Sequence, residues 1–156
     1  MKVFYAHPAS ISPQGIERDT QLLKEALELK YQRFHPGRHV RVRSGRSDHH
    51  VHYRGDWEAW QQSVVNRKHV TTGELLYDLF AVSGNRCGRA TANILRLAME
   101  SGRKVIWWDG QSPGRFKRVL SIRVNDEEDW TGGWEIVCDL PKTEQLPLPF
   151  SKEASQ

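Results

Sequence analysis

Cysteine is scarce in this chain: Cys87 and Cys138 are the only two among 156 residues. Two thiols exclude a disulfide framework and a four-thiolate zinc site, and their scarcity fits a reducing compartment. Both are expected to be free thiols, and the expected location is cytoplasmic. Long apolar runs are missing as well. No stretch of about 18 apolar residues occurs, so no membrane partner is expected. The N-terminal segment Met1-Lys2-Val3-Phe4-Tyr5-Ala6-His7-Pro8 reads as a first strand and lacks the apolar region of a signal peptide. There is no internal repeat, no dinucleotide fingerprint, no Walker loop and no DNA recognition-helix motif.

What is present describes one folded domain. A hydrophobic content of 38% with 27% charged residues and six tryptophans is globular, and 156 residues can bury a core without staples. The net charge of +4 gives a mild preference for anionic partners, since 19 acidic residues are interspersed with 23 basic ones. Basic residues are densest between Arg33 and Arg54, where arginines alternate with His35, His39, His49, His50 and His52.

Strands and helices alternate along the chain. Val3 to Ala6 reads as a buried strand, and Ile16, Leu22, Leu23, Ala26, Leu27 and Leu29 recur at helical spacing through Tyr31. Val40 and Val42 mark a second strand. Asp56 can cap a helix that carries Trp57, Trp60 and Val64 on one stripe. Leu75 to Val82 is a near-continuous apolar run, as expected of a central parallel strand covered on both faces. A helix from about Ala90 to Ser101 follows, stopped by Gly102, and then a buried strand from Val105 to Trp108. Beyond it, Leu120, Ile122 and Val124 alternate with polar neighbours, as do Trp134, Ile136, Cys138 and Leu140, which suggests an antiparallel pair. The expected fold is therefore α/β: a Rossmann-like, three-layer open sheet, mostly parallel, over residues 1–140, with residues 141–156 as an extended, accessible tail.

Ligands of such sheets bind beyond the C-terminal strand ends. The loop Ser83-Gly84-Asn85-Arg86-Cys87-Gly88-Arg89 leaves a central strand and opens a helix, so its backbone N–H groups and the helix dipole favour a phosphate, with arginine side chains as further donors. Residues expected to hold a nucleotide are His7, Pro8 and Ser10 after the first strand, Ser44, Arg46 and His50 after the second, and Ser83, Gly84, Asn85, Arg86, Gly88 and Arg89 in this loop. No metal or other cofactor is expected. The run Asp48-His49-His50-Val51-His52 lacks a ligand pair at helical spacing, and a loop over the pocket is preferred to a metal site.

Four of these segments resemble the nucleoside 2-deoxyribosyltransferase-like and related small Rossmann-like nucleotide-binding superfamily, over residues 1 to 109. They are Val3-Phe4-Tyr5-Ala6-His7-Pro8, Tyr77-Asp78-Leu79-Phe80-Ala81-Val82, the glycine loop from Gly84 to Gly88, and Ala98 through Asp109. Members that cleave or exchange an N-glycosidic bond use a carboxylate nucleophile four positions before the alanine matching Ala98. Here that position is Ile94, preceded by Asn93, and the nearest carboxylate on the helix is Glu100. The resemblance thus implies the fold and a nucleotide ligand more than that reaction. If a reaction is catalysed, Asp48, Asp56 or Asp109 has to act as base or nucleophile; Asp56 is equally explained as a helix cap and Asp109 as a turn residue. Cys87, before a helix N-terminus and between arginines, is better read as a packing residue than as a nucleophile. Trp107 and Trp108 end a strand, where one could stack on a base, although core packing is preferred for both.

The tail contains Gln145-Leu146-Pro147-Leu148-Pro149-Phe150. Gln145, Leu146, Leu148 and Phe150 resemble the short motif by which bacterial replication proteins enter a groove on the DNA polymerase sliding clamp. Apolar anchors on an extended segment gain by burial, and prolines reduce the entropy lost on docking. The alternative is that these side chains fold back onto the protein's own core. The preferred reading is a bacterial or phage nucleotide-binding protein that senses, sequesters or processes its ligand while tethered to the clamp. An N-glycosidic-bond hydrolase or transferase with an acidic residue outside the usual place is the second reading, and a DNA-binding module is the third. Homo-oligomer formation is left open.

Overall fold

The computed structural model describes residues 1–7, 11–32, 39–44, 57–66, 71–73, 75–124 and 133–139. In chain order the elements are β1 (Lys2–Ala6), α1 (Pro13–Gln32), β2 (Arg41–Ser44), α2 (Trp57–Asn66), β3 (Leu79–Ser83), β4 (Arg86–Cys87), α3 (Arg89–Glu100), β5 (Lys104–Trp108), β6 (Phe116–Val124) and β7 (Trp134–Cys138). Among the described residues these strands form one sheet in the order β2-β1-β3-β5-β6-β7-β4.

The fold class is α/β, as the alternation implied, but the sheet is mixed rather than mostly parallel. The β2–β1, β1–β3 and β3–β5 pairs are parallel, and β5–β6, β6–β7 and β7–β4 are antiparallel. Connection length explains the change. A parallel return needs a crossover, which the α3 segment provides between β3 and β5, whereas the turn from Asp109 to Arg115 is short enough only for an antiparallel partner. The terminal strand pair therefore extends the sheet.

Strand alternation sorts the apolar side chains into two cores. Val3, Tyr5, Leu79, Ala81 and Trp108 pack with Leu23 and Leu27 of α1, while Phe4, Phe80, Val82 and Val105 pack with Val64 and Val65 of α2 and with Ala92, Leu95 and Ala98 of α3. Tyr77 adds its ring to the second core, 5.3 Å from Phe4 and edge-on. Val64 is buried in the expected stripe; the side chains of Trp57 and Trp60 lie outside the described residues.

Two element starts and the phase of one strand depart from the pattern, each for a local reason. Helix α1 begins at Pro13, three residues before Ile16, because Ser12-Pro13 is an N-terminal cap: Ser12 Oγ accepts the Gly15 N–H at 3.0 Å, and proline suits the first helical position. Leu29 of this helix is 54% exposed, on the solvent side of the stripe. Strand β3 starts at Leu79 rather than Leu75, because Asp78 turns outward and clamps Lys2: its carboxylate accepts the Lys2 N–H, and its own N–H donates to the Lys2 carbonyl, both at 2.8 Å. In β6 a register shift between Val119 and Ser121 makes Leu120 an extra residue, so Val119 and Ile122 point inward while Leu120 and Val124 are exposed.

Candidate functional site

The C-terminal ends of β1, β2, β3 and β5 lie along one edge of the parallel part of the sheet, and they bring together His7, Ser44, Ser83, Gly84 and Asp109. His7 and Ser44 are buried polar residues at the ends of adjacent strands. The His7 carbonyl accepts from Thr91 Oγ1 at 3.4 Å, which ties the end of β1 to the first turn of α3. Pro8, Ser10, Arg46, Asp48, His50 and Asp56 lie outside the described residues, as do Gln145, Leu146, Leu148 and Phe150.

The loop after β3 is more ordered than a plain strand-to-helix connection. Only its first glycine needs glycine's conformational range: Gly84 has φ +83°, whereas Gly88 has φ −80° and ψ 174°, ordinary extended backbone. Arg86 and Cys87 form the short strand β4 opposite Glu135 and Trp134, and the Asn85 carbonyl accepts the Ile136 N–H at 2.9 Å. Trp107 braces the same loop, its Nε1 donating to the Gly84 carbonyl at 2.8 Å while Lys117 lies over its ring. Trp108 is wholly buried in the core. Loop, C-terminal strand and β5 are thus one hydrogen-bonded unit.

Helix α3 opens from Gly88 with no side-chain cap and no acidic residue in its first turn; its first intrahelical bond is Ala92 N–H to the Gly88 carbonyl, at 3.0 Å. The N–H groups ahead of Ala92 carry the positive end of the helix dipole at the strand edge. Arg86 is exposed and Arg89 half-buried beside them.

Comparison with known proteins returns no match: no family model fits the chain, and no curated protein or solved structure is significantly similar to it.

The other candidate groups near this edge are engaged in structural roles. Asp109 is a turn residue: its Oδ1 accepts the Gln111 N–H at 3.0 Å and its own N–H donates to the Arg115 carbonyl. Burial of Cys87 pushes its thiol pKa up to about 11, so desolvation outweighs the helix N-terminus and the residue is a protonated packing group. Among the described residues no three His, Cys, Asp or Glu side chains could hold a metal, and no helix is long and apolar enough to cross a membrane.

Sequence reasoning missed Tyr5 and Asp19. Tyr5, read as a core strand residue, is 1% exposed, yet its hydroxyl reaches Asp19 Oδ2 at 3.1 Å and Ser83 Oγ at 3.0 Å. A tyrosine in an otherwise aliphatic and phenylalanine-rich strand run was the available signal, because a buried phenol needs a partner. Asp19 had none: it is one acidic position among several on a solvated helix.

A groove of about 330 Å³ lies away from this edge, lined in part by Lys30, Tyr31, Arg103, Lys104, Phe116 and Arg118. Three of its cations are engaged with separate partners. Lys30 lies over Phe116, Arg103 donates to the Val65 carbonyl on the opposite face, and Arg118 pairs with Asp139.

Proposed function

We propose that this chain is a Rossmann-like, three-layer protein that binds a nucleotide or a similar phosphate-bearing small molecule at the edge formed by His7, Ser44, Ser83 and the start of α3. The carrying observation is the uncapped N-terminus of α3, which follows a positive-φ glycine at the same sheet edge as the buried or half-buried strand-end residues His7, Ser44 and Ser83. Such an end offers backbone donors and a favourable field to an anion, while the strand termini offer polar groups to the rest of the ligand. Glycosidic chemistry on α3 is disfavoured, because Ile94, which takes the place of the nucleophile in the superfamily this chain resembles, is 4% exposed within the core. Binding, as in sensing or sequestration, is the reading we favour. The tail residues Gln145, Leu146, Leu148 and Phe150 would then hold the protein at a bacterial sliding clamp, where deoxynucleotides are turned over. That part rests on the sequence motif.

The decisive experiment uses Gly88→Asp. Aspartate accepts the backbone geometry of this position, and as a cap it places its carboxylate where the ligand's phosphate is to sit. Calorimetry with deoxynucleoside monophosphates should show binding to the native protein and at least a tenfold loss in the variant, whose thermal stability is unchanged or raised. Failure of the native protein to bind any of them, or equal binding by both proteins, refutes the site. Calorimetry against a sliding clamp, with Leu148→Ala/Phe150→Ala as the control, tests the tether separately.

A further inference from the structure

The contacts of Tyr5 fix the direction of a hydrogen-bond chain. A phenol has one proton, and a carboxylate only accepts. Asp19, whose Oδ1 also meets Arg18 Nε at 3.6 Å, therefore accepts the Tyr5 O–H hydrogen bond on Oδ2. The 3.0 Å contact between Tyr5 Oη and Ser83 Oγ is then favourable only if Ser83 donates. The chain runs from Ser83 O–H to Tyr5 O–H to Asp19. Tyr5 is held in place by ring contacts with Trp108 at 6.1 Å and His7 at 5.7 Å, and burial raises its pKa to about 12, so the phenol keeps its proton at any physiological pH.

The consequence falls on Ser83. It is the last residue of β3, half-buried, and directly precedes Gly84. Its only proton is committed inward, so the lone pairs of its Oγ can offer nothing but acceptance, and polarisation along the chain towards a carboxylate strengthens them as acceptors. A phosphate at neutral pH, largely a dianion, presents oxygens without protons and is repelled there.

We propose that Ser83 reads the nucleoside part of the ligand, accepting a hydrogen bond from a sugar hydroxyl or a base N–H, while the phosphate is held at the first turn of α3. This rests on the nucleotide reading above and narrows it: the ligand carries a donor as well as a phosphate, which excludes inorganic phosphate, pyrophosphate and similar bare anions as the cognate ligand. Tyr5 and Asp19 are positioning residues.

Two measurements test it. Neutron diffraction from crystals of the perdeuterated protein should place the Tyr5 deuteron towards Asp19 and the Ser83 deuteron towards Tyr5; a Tyr5 deuteron directed at Ser83 overturns the proposal, whatever the ligand. Calorimetry with deoxynucleoside monophosphates and with pyrophosphate then reads selectivity. Ser83→Ala should weaken the nucleotide roughly 3- to 10-fold, as expected for one hydrogen bond, and leave pyrophosphate within about twofold. Tyr5→Phe should lower the nucleotide-to-pyrophosphate ratio, because Ser83 regains a proton to donate. Equal losses for both ligands in Ser83→Ala, or none, overturn the proposal. Absence of nucleotide binding by the native protein overturns the nucleotide reading and the ligand assigned to Ser83 with it, whereas the deuteron positions still decide the direction of the chain.

Discussion

Replacing Gly114 by alanine sets a methyl group against the turn that follows β5. A Cβ built there lies 2.7 Å from the Gln111 carbonyl oxygen, 2.7 Å from Trp108 Nε1 and 2.9 Å from Trp108 Cδ1. Neither neighbour can yield cheaply: one is backbone, the other a ring with no exposed surface. The methyl group would also press on both partners of the Trp108 Nε1 to Gln111 carbonyl hydrogen bond, 2.8 Å long. Stranding that buried N–H costs about 1–3 kcal/mol, and overpacking a filled site costs about 1–3 kcal/mol. The two overlap, because one small shift relieves both, so a loss of about 2–4 kcal/mol is expected. For a domain of this length that lowers Tm by about 5–15 °C. Gly110→Ala is the internal control, since its Cβ meets nothing within 4 Å and only the φ of +82° is unfavourable, worth about 1 kcal/mol. Scanning calorimetry measures both variants, and near-ultraviolet circular dichroism follows the tryptophan. A Gly114→Ala protein within 1 °C of the native one, or no less stable than Gly110→Ala, would refute the closed turn.

Alkali should unfold the protein early. Cys87 and Tyr5 have folded-state pKa values of about 11 and about 12, above their ordinary values of 9.0 and 10.0. The folded state thus holds protons that the unfolded state releases, so the stability is complete below about pH 9 and is lost as pH rises towards 12; each group contributes about 2–3 kcal/mol, read from urea midpoints against pH. For the same reason, a thiol reagent at pH 8 should reach Cys87 only in denaturant. Arg103→Ala should cost about 1.5–3 kcal/mol in chemical denaturation, because Nη1 donates to the Val65 carbonyl at 2.7 Å and the guanidinium lies over Phe80; Arg103→Lys should recover part of it. Asp139→Asn should change stability by less than about 1 kcal/mol in spite of a 2.6 Å contact with Arg118, whose side chain is 71% exposed.

The parts of this fold written in periodicity were legible. Val3 to Ala6 and Val105 to Trp108 are strands, as short apolar runs bounded by breaks suggest, and Gly102 stops α3 with φ +71° where the sequence placed the stop. Features set by a distant partner were not. Strand β4 has two residues and no pattern of its own; it exists because Glu135 and Trp134 lie opposite. The shifted phase of β6 comes from a bulge, and Leu120 carries no mark of being the extra residue. At the site, the edge and its glycine loop could be read from strand order, but Tyr5, Asp19 and Thr91 join it through tertiary contacts that one-dimensional spacing does not encode.

Strand β4 also has a consequence for the order in which the chain can be assembled. The ribosome makes the loop after β3 well before residues 134–138, so the loop emerges without the partner that fixes it. The parallel strands and their helices can collapse first, before β4 has formed. The shape of the loop then arrives with β7, and any lesion that loosens β7 is felt first as a poorly shaped loop.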